Sequence, residues 1–311
     1  MKAIVLKTPG GAENLVIQDM DKPAIKSGEI LIHVKAISIN PVDVKTRSGK
    51  GVYGRIKDEN PLVLGWDISG TVVESLDAKF QIGDEVFGMI NFPGHGRAYA
   101  EYVAAPASHL ALKPQNISHE EAAAATLVAL TAWQALVTNA NVRKGQKVLI
   151  HAASGGVGHI AVQIAKYLGV TVVGTSSAKN KDFVLGLGAD THIDYRDYDW
   201  AVHPREFDFV LDTIGGDNLD HSLEVTREGG SIISIPTGLN EEVTSKAASK
   251  GIHGYFILVQ SDGRDMEQIA SLLEKEIIKP HISKTYSFDQ IRDAHLQQET
   301  GRTVGKLIIK V

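Results

Sequence analysis

Residues 147–166 read KVLIHAASGGVGHIAVQIAK. Val148, Leu149 and Ile150 make a short apolar run of the kind buried in parallel sheets. Ser154, Gly155, Gly156 and Gly158 break it. From Val157 onward the apolar residues recur at helical spacing, through Ile160, Ala161, Ile164, Ala165 and Leu168. A strand, a glycine turn and a helix in that order aim free backbone N–H groups and the positive end of a helix dipole at one point, which favours a phosphate. The pattern is Ala153-x-Gly155-x-x-Gly158, a G-x-G-x-x-G fingerprint with alanine in the first place. Gly155 lets the backbone come close to a pyrophosphate, and Gly158 lets the helix lie tightly on the strand. Ser154, Gly155, Gly156 and Val157 are the expected pyrophosphate ligands. The competing reading is a tight turn that binds nothing.

The following strand, TVVGT at 171–175, names the nucleotide. An acidic residue about 20 positions after the start of such a fingerprint would bind a ribose 2′-hydroxyl. Here that place falls near Val173 and Gly174. Thr175, Ser176, Ser177, Ala178, Lys179, Asn180 and Lys181 come next, and the first acid is Asp182. Small hydroxyls backed by lysines suit a 2′-phosphate, and a carboxylate there would repel it. The expected cofactor is therefore NADPH, its 2′-phosphate surrounded by Thr175, Ser176, Ser177 and Lys179. The same residues also suit a helix start, with Ser177 as N-cap.

Two kinds of region position these residues. Residues 1 to about 115 read as all-β. Strands are expected at 2–6, 30–39, 70–74, 85–90 and 98–104, with turn signals between them, which suggests a small barrel-like domain. Residues 47–61, rich in glycine and charge, read as an exposed loop. Ser118 and Glu121 form a capping box ahead of an alanine-rich helix. Strands and helices then alternate: strands at 148–151, 171–174, 208–212, 231–235 and 254–258, helices near 156–168, 179–187 and 217–226. Such alternation implies a parallel sheet covered on both faces. A helix at 264–276, another at 288–299 and a strand at 304–311 close the chain. The last strand has no partner in the alternating half and is expected to return to the first domain.

Composition sets the outer limits. A chain of 311 residues suits two domains. The formal net charge of −5 argues against a nucleic-acid surface. With no cysteine, disulfides, zinc fingers and thiol nucleophiles are excluded. The opening MKAIVLKTPGG lacks the features of a signal peptide, and no apolar run approaches the 18 or so residues of a membrane span. A cytoplasmic location is the default expectation.

The order of several short segments then resembles one family. They are MKAIV at 1–5, INPVD at 39–43, PLVLGWDISGTV at 61–72, GDEV at 83–86, AYAEY at 98–102, LTAW at 130–133, AASGGVG at 152–158, GAD at 188–190 and GKL at 305–307. Along essentially its whole length the chain is similar to the zinc-free quinone oxidoreductases, related to ζ-crystallin, of the medium-chain dehydrogenase/reductase superfamily. The resemblance implies an α/β fold: a Rossmann doubly wound parallel sheet plus a GroES-like β-barrel domain. The β domain would span 1–117, completed by 280–311, and the Rossmann domain 118–279. Relatives that use catalytic zinc hold it through a Cys near the Asn40 position and a His near Trp66, so metal is not expected.

Other site residues follow from the resemblance. Asn40 and Val42 would lie near the nicotinamide and its ribose, with Thr131 on the other side. Tyr195 would cover the adenosine. Thr213, Ile214 and Gly215 would border the cofactor, as the crevice of such a sheet predicts. Ile235, Pro236 and Thr237, then Phe256, Ile257 and Leu258, would pass the nicotinamide, and Arg302 would be a further phosphate ligand. Tyr53 resembles the family's active-site tyrosine, although GRIKD at 54–58 departs from the usual proline-rich stretch. Asn40 and Tyr53 are thus the candidate catalytic residues. The implied activity is hydride transfer from NADPH to a quinone without metal; the alternatives are reduction of enone or enal double bonds, or a non-catalytic NADPH-binding sensor or structural protein. A homodimer is the implied assembly.

Overall fold

Glu29–Ile39 forms an 11-residue strand, and most of the first half of the chain is arranged along it. The computed structural model describes residues 1–200, 202, 205–236, 238 and 242–311. Contacts gather these into two compact units, Met1–Leu130 with Val259–Val311, and Thr131–Leu258. The strands in chain order are β1 (Lys2–Leu6), β2 (Leu15–Asp19), β3 (Glu29–Ile39), β4 (Asp67–Ser75), β5 (Glu85–Met89), β6 (Tyr102–Pro106), β7 (Leu110–Leu112), β8 (Lys147–Ile150), β9 (Thr171–Ser176), β10 (Thr191–Asp194), β11 (Phe207–Asp212), β12 (Thr226–Ser234), β13 (His253–Phe256), β14 (Ile282–Ser287) and β15 (Lys306–Lys310). The helices are α1 (Pro41–Arg47), α2 (Tyr53–Ile56), α3 (His119–Trp133), α4 (Gly156–Tyr167), α5 (Lys181–Gly186), α6 (Asn218–Val225), α7 (Val243–Ala248), α8 (Gly263–Glu274) and α9 (Ile291–Glu299).

In the first unit one edge of β3 pairs with β4, the register slipping at Leu31/Ile32 and again at Val34/Ala36. Its other edge is shared: residues 29–33 pair with β6, residues 36–39 with β15. Such irregularities bend a strand and increase its twist, which lets one strand serve two partners on the same edge. The sheet order is β14-β15-β3-β4-β5-β7, with β6 on β3. Ile30, Ile32 and Ile37 are fully buried, each stabilising the unit by about 2 kcal/mol. Ala123 and Ala124 of α3 pack on Ala36 and Ile308; side chains this small let the helix lie close to the strands. The capping box forms as expected, Ser118 N–H donating to Glu121 at 2.8 Å and Glu121 N–H to Ser118 Oγ at 3.1 Å.

Several local expectations are corrected. Residues 47–61 carry α2, whose Ile56 is buried together with Val52. Of 98–104 only the end becomes strand, because Ala98 and Tyr99 bond to Gly65 and Leu64 outside any ladder. The alanine-rich helix continues as a π-helical segment, Gln134–Asn139. The combined 21 residues are long and apolar enough to cross a membrane, yet 78% of the apolar window is buried within the protein. By contacts most of α3 and all of α8 lie with the first unit, whereas the resemblance places its boundaries at 117/118 and 279/280.

The second unit is a six-stranded sheet of order β10-β9-β8-β11-β12-β13, every neighbouring pair parallel. In chain order within the unit this is 3-2-1-4-5-6, and the order reverses between β8 and β11. Ligands of open α/β sheets bind outside the carboxyl ends of the strands at such a reversal. The strands are apolar on both sides because α4–α7 cover them. Leu149, Val210, Leu223 and Ile232 belong to the resulting core.

Candidate active site

The glycine turn opens directly from the carboxyl end of β8. Gly155 is the N-cap of α4, in extended conformation, and no side chain caps that end. The N–H groups of Gly156, Val157 and Gly158 therefore occupy the first helical positions, where no preceding turn supplies an acceptor. Gly158 shows why alanine is excluded there: a Cβ would come 2.2 Å from Ala152 O and 2.7 Å from Ala153 Cα. Ala152 itself has φ 45°, a region that costs a non-glycine residue about 1–2 kcal/mol, and its carbonyl accepts from Gly155 N–H at 2.8 Å. Replacing Ala152 with glycine is expected to raise the melting temperature or leave it unchanged, which thermal denaturation would check.

The turn after β11 meets this one across the reversal. Thr213 Oγ1 donates to the carbonyl of His151 at 2.8 Å. Asp212, fully buried, accepts from the N–H groups of Ile214 and Gly215 at 3.0 Å each, from Asn218 at 2.9 Å and from Ser234 Oγ at 3.0 Å. One carboxylate so fixes the turn 213–215 and ties β11 to β12, and its charge is fully hydrogen-bonded.

On the other side, β9 ends beside the turn. Ala153 N–H donates to Thr175 O at 2.8 Å, and Asn180 Nδ2 donates to Ser154 Oγ at 3.0 Å. These bonds bring the glycine turn and residues 175–180 together. Within the latter group the roles divide. Thr175 and Ser176 are buried; Thr175 Oγ1 lies 3.1 Å from His151 Nδ1, and Ser176 Oγ lies 2.8 Å from His192 Nε2. They brace the end of β9 from its two faces, whereas Ser177 is half-buried and Lys179 exposed. Burial pushes the His151 imidazole down, keeping it neutral between Thr175 and Ser222 Oγ at 3.1 Å.

The carboxyl edge of this sheet also leaves apolar side chains uncovered. Tyr195 is 51% exposed, Ile214 41% and Phe256 37%. Ile235, Pro236, Ile257 and Leu258 are half-buried beyond the ends of β12 and β13. Thr131 is buried on α3. Thr237 lies outside the described residues. The structure thus gathers Ser154–Val157, 175–179, Tyr195 and 213–215 at one edge, with the residues after β12 and β13 further along it. This edge fits a dinucleotide: uncapped amides for the pyrophosphate and a lysine with hydroxyls for a further phosphate.

Asn40, Val42, Tyr53 and Arg302 belong to the first unit. Val42 and Tyr53 are half-buried on α1 and α2, and Arg302 is exposed. Asn40 is fully buried at the end of β3, and both ends of its amide are engaged. Nδ2 donates to Asp67 Oδ2 at 2.7 Å, Oδ1 accepts from Lys306 Nζ, and its own N–H donates to Asp43 Oδ2 at 2.6 Å. Lys306 also donates to Ile39 O at 2.8 Å. Burial holds both carboxyls above the usual carboxylate range and Lys306 below the usual amine range. Sequence reasoning placed Asn40 at the chemistry without seeing this buried ionic cluster, and it assigned no role to His151 or His192. The position of His151 between an apolar strand and a glycine turn was the available signal.

Comparisons with known proteins identify the family. A profile described as "Alcohol dehydrogenase GroES-like domain" matches residues 26–115, and one described as "Zinc-binding dehydrogenase" matches residues 187–309. The chain is 34% identical to the 2-methylene-furan-3-one reductase of Solanum lycopersicum, over 92% of this chain and 73% of that protein. It is 30% identical to a chloroplastic NADPH-dependent alkenal/one oxidoreductase of Arabidopsis thaliana, over 99% and 79%. The structure of a quinone oxidoreductase from Coxiella burnetii superposes with a TM-score of 0.95 at 37% identity, covering 100% of this chain and 99% of that one.

Among the described residues the zinc in the second description finds no fitting donors. The chain has no cysteine, and among the described residues no three His, Asp or Glu side chains come together as metal ligands could. Where Asn40 sits, the positive charge is the Lys306 ammonium. In its GroES-like unit, its Rossmann sheet and its relatives alike, the chain belongs to the medium-chain dehydrogenase/reductase family, as a quinone-oxidoreductase-like NAD(P)H oxidoreductase.

Proposed function

We propose that the protein reduces quinones with NADPH and without metal. The observation that carries the coenzyme half is the loop 175–180, joined by hydrogen bonds to the glycine turn and presenting Ser177 and Lys179 with no carboxylate among its residues. NADPH, when bound, supplies a hydride. The Gly156–Gly158 amides hold its pyrophosphate, Lys179 and Ser177 its 2′-phosphate, and Tyr195 covers its adenosine. Asp212 keeps the turn 213–215 in place beside it. A quinone takes up hydride directly and then needs one proton, for which Tyr53 is the proposed donor; Asn40, locked by Asp67 and Lys306, fixes the backbone that leads into α1. Arg302 is the remaining proposed phosphate ligand.

A second reading, reduction of enones and enals, is favoured by the two plant relatives, which are named for such substrates. Steady-state NADPH oxidation with a quinone panel and an enone panel separates the two; no oxidation above background with either rejects both. Lys179→Ala is expected to raise KM for NADPH by at least tenfold and KM for NADH by less than twofold, since one charge-assisted phosphate contact contributes about 1.5–3 kcal/mol. Equal changes would reject the 2′-phosphate assignment. A homodimer built on the β13 edge of the sheet is also proposed; sedimentation at the monomer mass would refute it.

A further inference from the structure

The two hydroxyls at the carboxyl end of β9 are each held by a histidine, and the two histidines differ in access. His151 is fully buried, whereas His192, on β10, is half-buried. The parallel register sets His192 opposite Gly174 and Asp194 opposite Ser176. His192, Ser176 and Asp194 therefore share one face of the sheet. α5 covers that face, for a Cβ on Gly174 would meet Val184 at 2.7 Å.

The charged groups facing His192 are Asp194 on its own strand and Lys181 at the start of α5. Asp194 is already matched: Arg196 Nη2 lies 2.6 Å from it, and Ala178 N–H donates to it at 2.9 Å. That second bond fastens Ala178, in the loop 177–180, to the strand that carries His192. Ser176 Oγ donates onward to Ser177 O at 3.2 Å. His192 Nε2, 2.8 Å from the same Oγ, is thus the donor of the pair, which leaves Nδ1 to take up a proton.

We infer that His192 is a specificity-determining residue for the 2′-phosphate: it becomes the imidazolium when a phosphate monoester occupies the loop 177–180, adding a positive charge that NADPH engages and NADH does not. The inference rests on the NADPH reading above. With no phosphate present, burial and then Lys181 hold the imidazole below its ordinary value, against the pull of Asp194, and it stays neutral near pH 7. A nearby dianion favours the charged form, so the proton enters from solvent as the coenzyme binds. Linkage then makes NADPH affinity rise as pH falls.

Calorimetry of the full chain at pH 7.2, in two buffers of different ionisation enthalpy, tests this with NADPH and NADH as probes. Net proton uptake is expected with NADPH and none with NADH. His192→Gln is expected to abolish the uptake and weaken NADPH about fivefold while moving NADH far less, the effect of one half-screened charge near a dianion. The unaltered protein gives a second readout: the ratio of the Kd for NADH to that for NADPH should grow about fivefold between pH 8.5 and 6.8, a range in which the phosphate itself stays mostly the dianion. A preference for NADPH that is flat with pH overturns the role of His192 and spares the coenzyme reading. Uptake that survives in His192→Gln, or equal weakening of both nucleotides, overturns it too. Equal affinity for NADPH and NADH at every pH removes the coenzyme reading itself.

Discussion

Gly158→Ala is expected to lower kcat/KM with NADPH and with NADH together, by about 100-fold, the cost of misplacing a binding group by roughly 1 Å. The added methyl group would lie 2.2, 2.7 and 2.8 Å from Ala152 O, Ala153 Cα and Ala152 C. All three are backbone atoms of the turn, so no side chain can swing away. The first turn of α4 must lift from β8, carrying the Gly156–Gly158 amides with it. Because those amides face the part common to both nucleotides, the preference between them should not change. Overpacking of this kind also costs about 1–3 kcal/mol of stability. Gly155→Ala supplies the control. Its Cβ would meet only Ala152 O, at 3.2 Å, and Ala152 Cβ, at 3.9 Å. It is expected to keep the melting temperature near that of the unaltered protein while weakening both nucleotides. If Gly158→Ala binds NADPH as tightly as the unaltered protein, the phosphate cradle is elsewhere.

Much of this site was legible because backbone chemistry leaves a local signature. The turn from β8 into α4 needs glycine at a helix cap and at a helix–strand contact, and both are written within six residues. Alternating periodicities gave a parallel sheet covered by helices, but not β10 nor the strand order. The hydroxyls of 175–177 were legible as a group but not as individuals. Side chains alternate along a strand, and which neighbour claims a hydroxyl depends on β10 and on the turn after β8, elements remote in sequence. So Thr175 and Ser176 turned out to be braces held by His151 and His192.

The cluster at Asn40 was illegible for a similar reason. In β15 residues 306, 308 and 310 share one face. Lys306 and Lys310 at its ends suggest a solvated face, and Lys310 is exposed. Only the pairing of β15 with β3 carries Lys306 to Asn40 and the buried carboxyls. Strands β2, β7, β10 and β14 escaped notice because their partners, not their own patterns, define them.

Lys306→Met is expected to destabilise the first unit by about 3–5 kcal/mol, the loss that follows when one member of a buried ionic group is removed. Asn40, Asp43 and Asp67 are all fully buried, and Lys306 is the ammonium among them. One oxygen of Asp43 already lacks a hydrogen-bond partner. The loss should depend on pH in a definite direction. Burial, then the Asp67 carboxylate, raises Asp43 above its ordinary value. An acid raised in the folded state stabilises fully below its unfolded pKa, and that stability is lost as pH rises through its folded one. Lys306 draws both Asp43 and Asp67 downward. Without it both are held higher, and the loss, which still begins at the unfolded pKa, extends to higher pH. Denaturant titrations should therefore find a larger deficit at pH 8 than at pH 5.5, where protonated carboxyls relieve the unpaired charge. Adding Asp67→Asn to Lys306→Met should restore part of the stability at pH 8, because an amide at that position needs no ammonium. A deficit below 1 kcal/mol, or one equal at the two pH values, would mean that the cluster is neutral without its lysine. The charge balance assigned to the end of β3 would then be wrong.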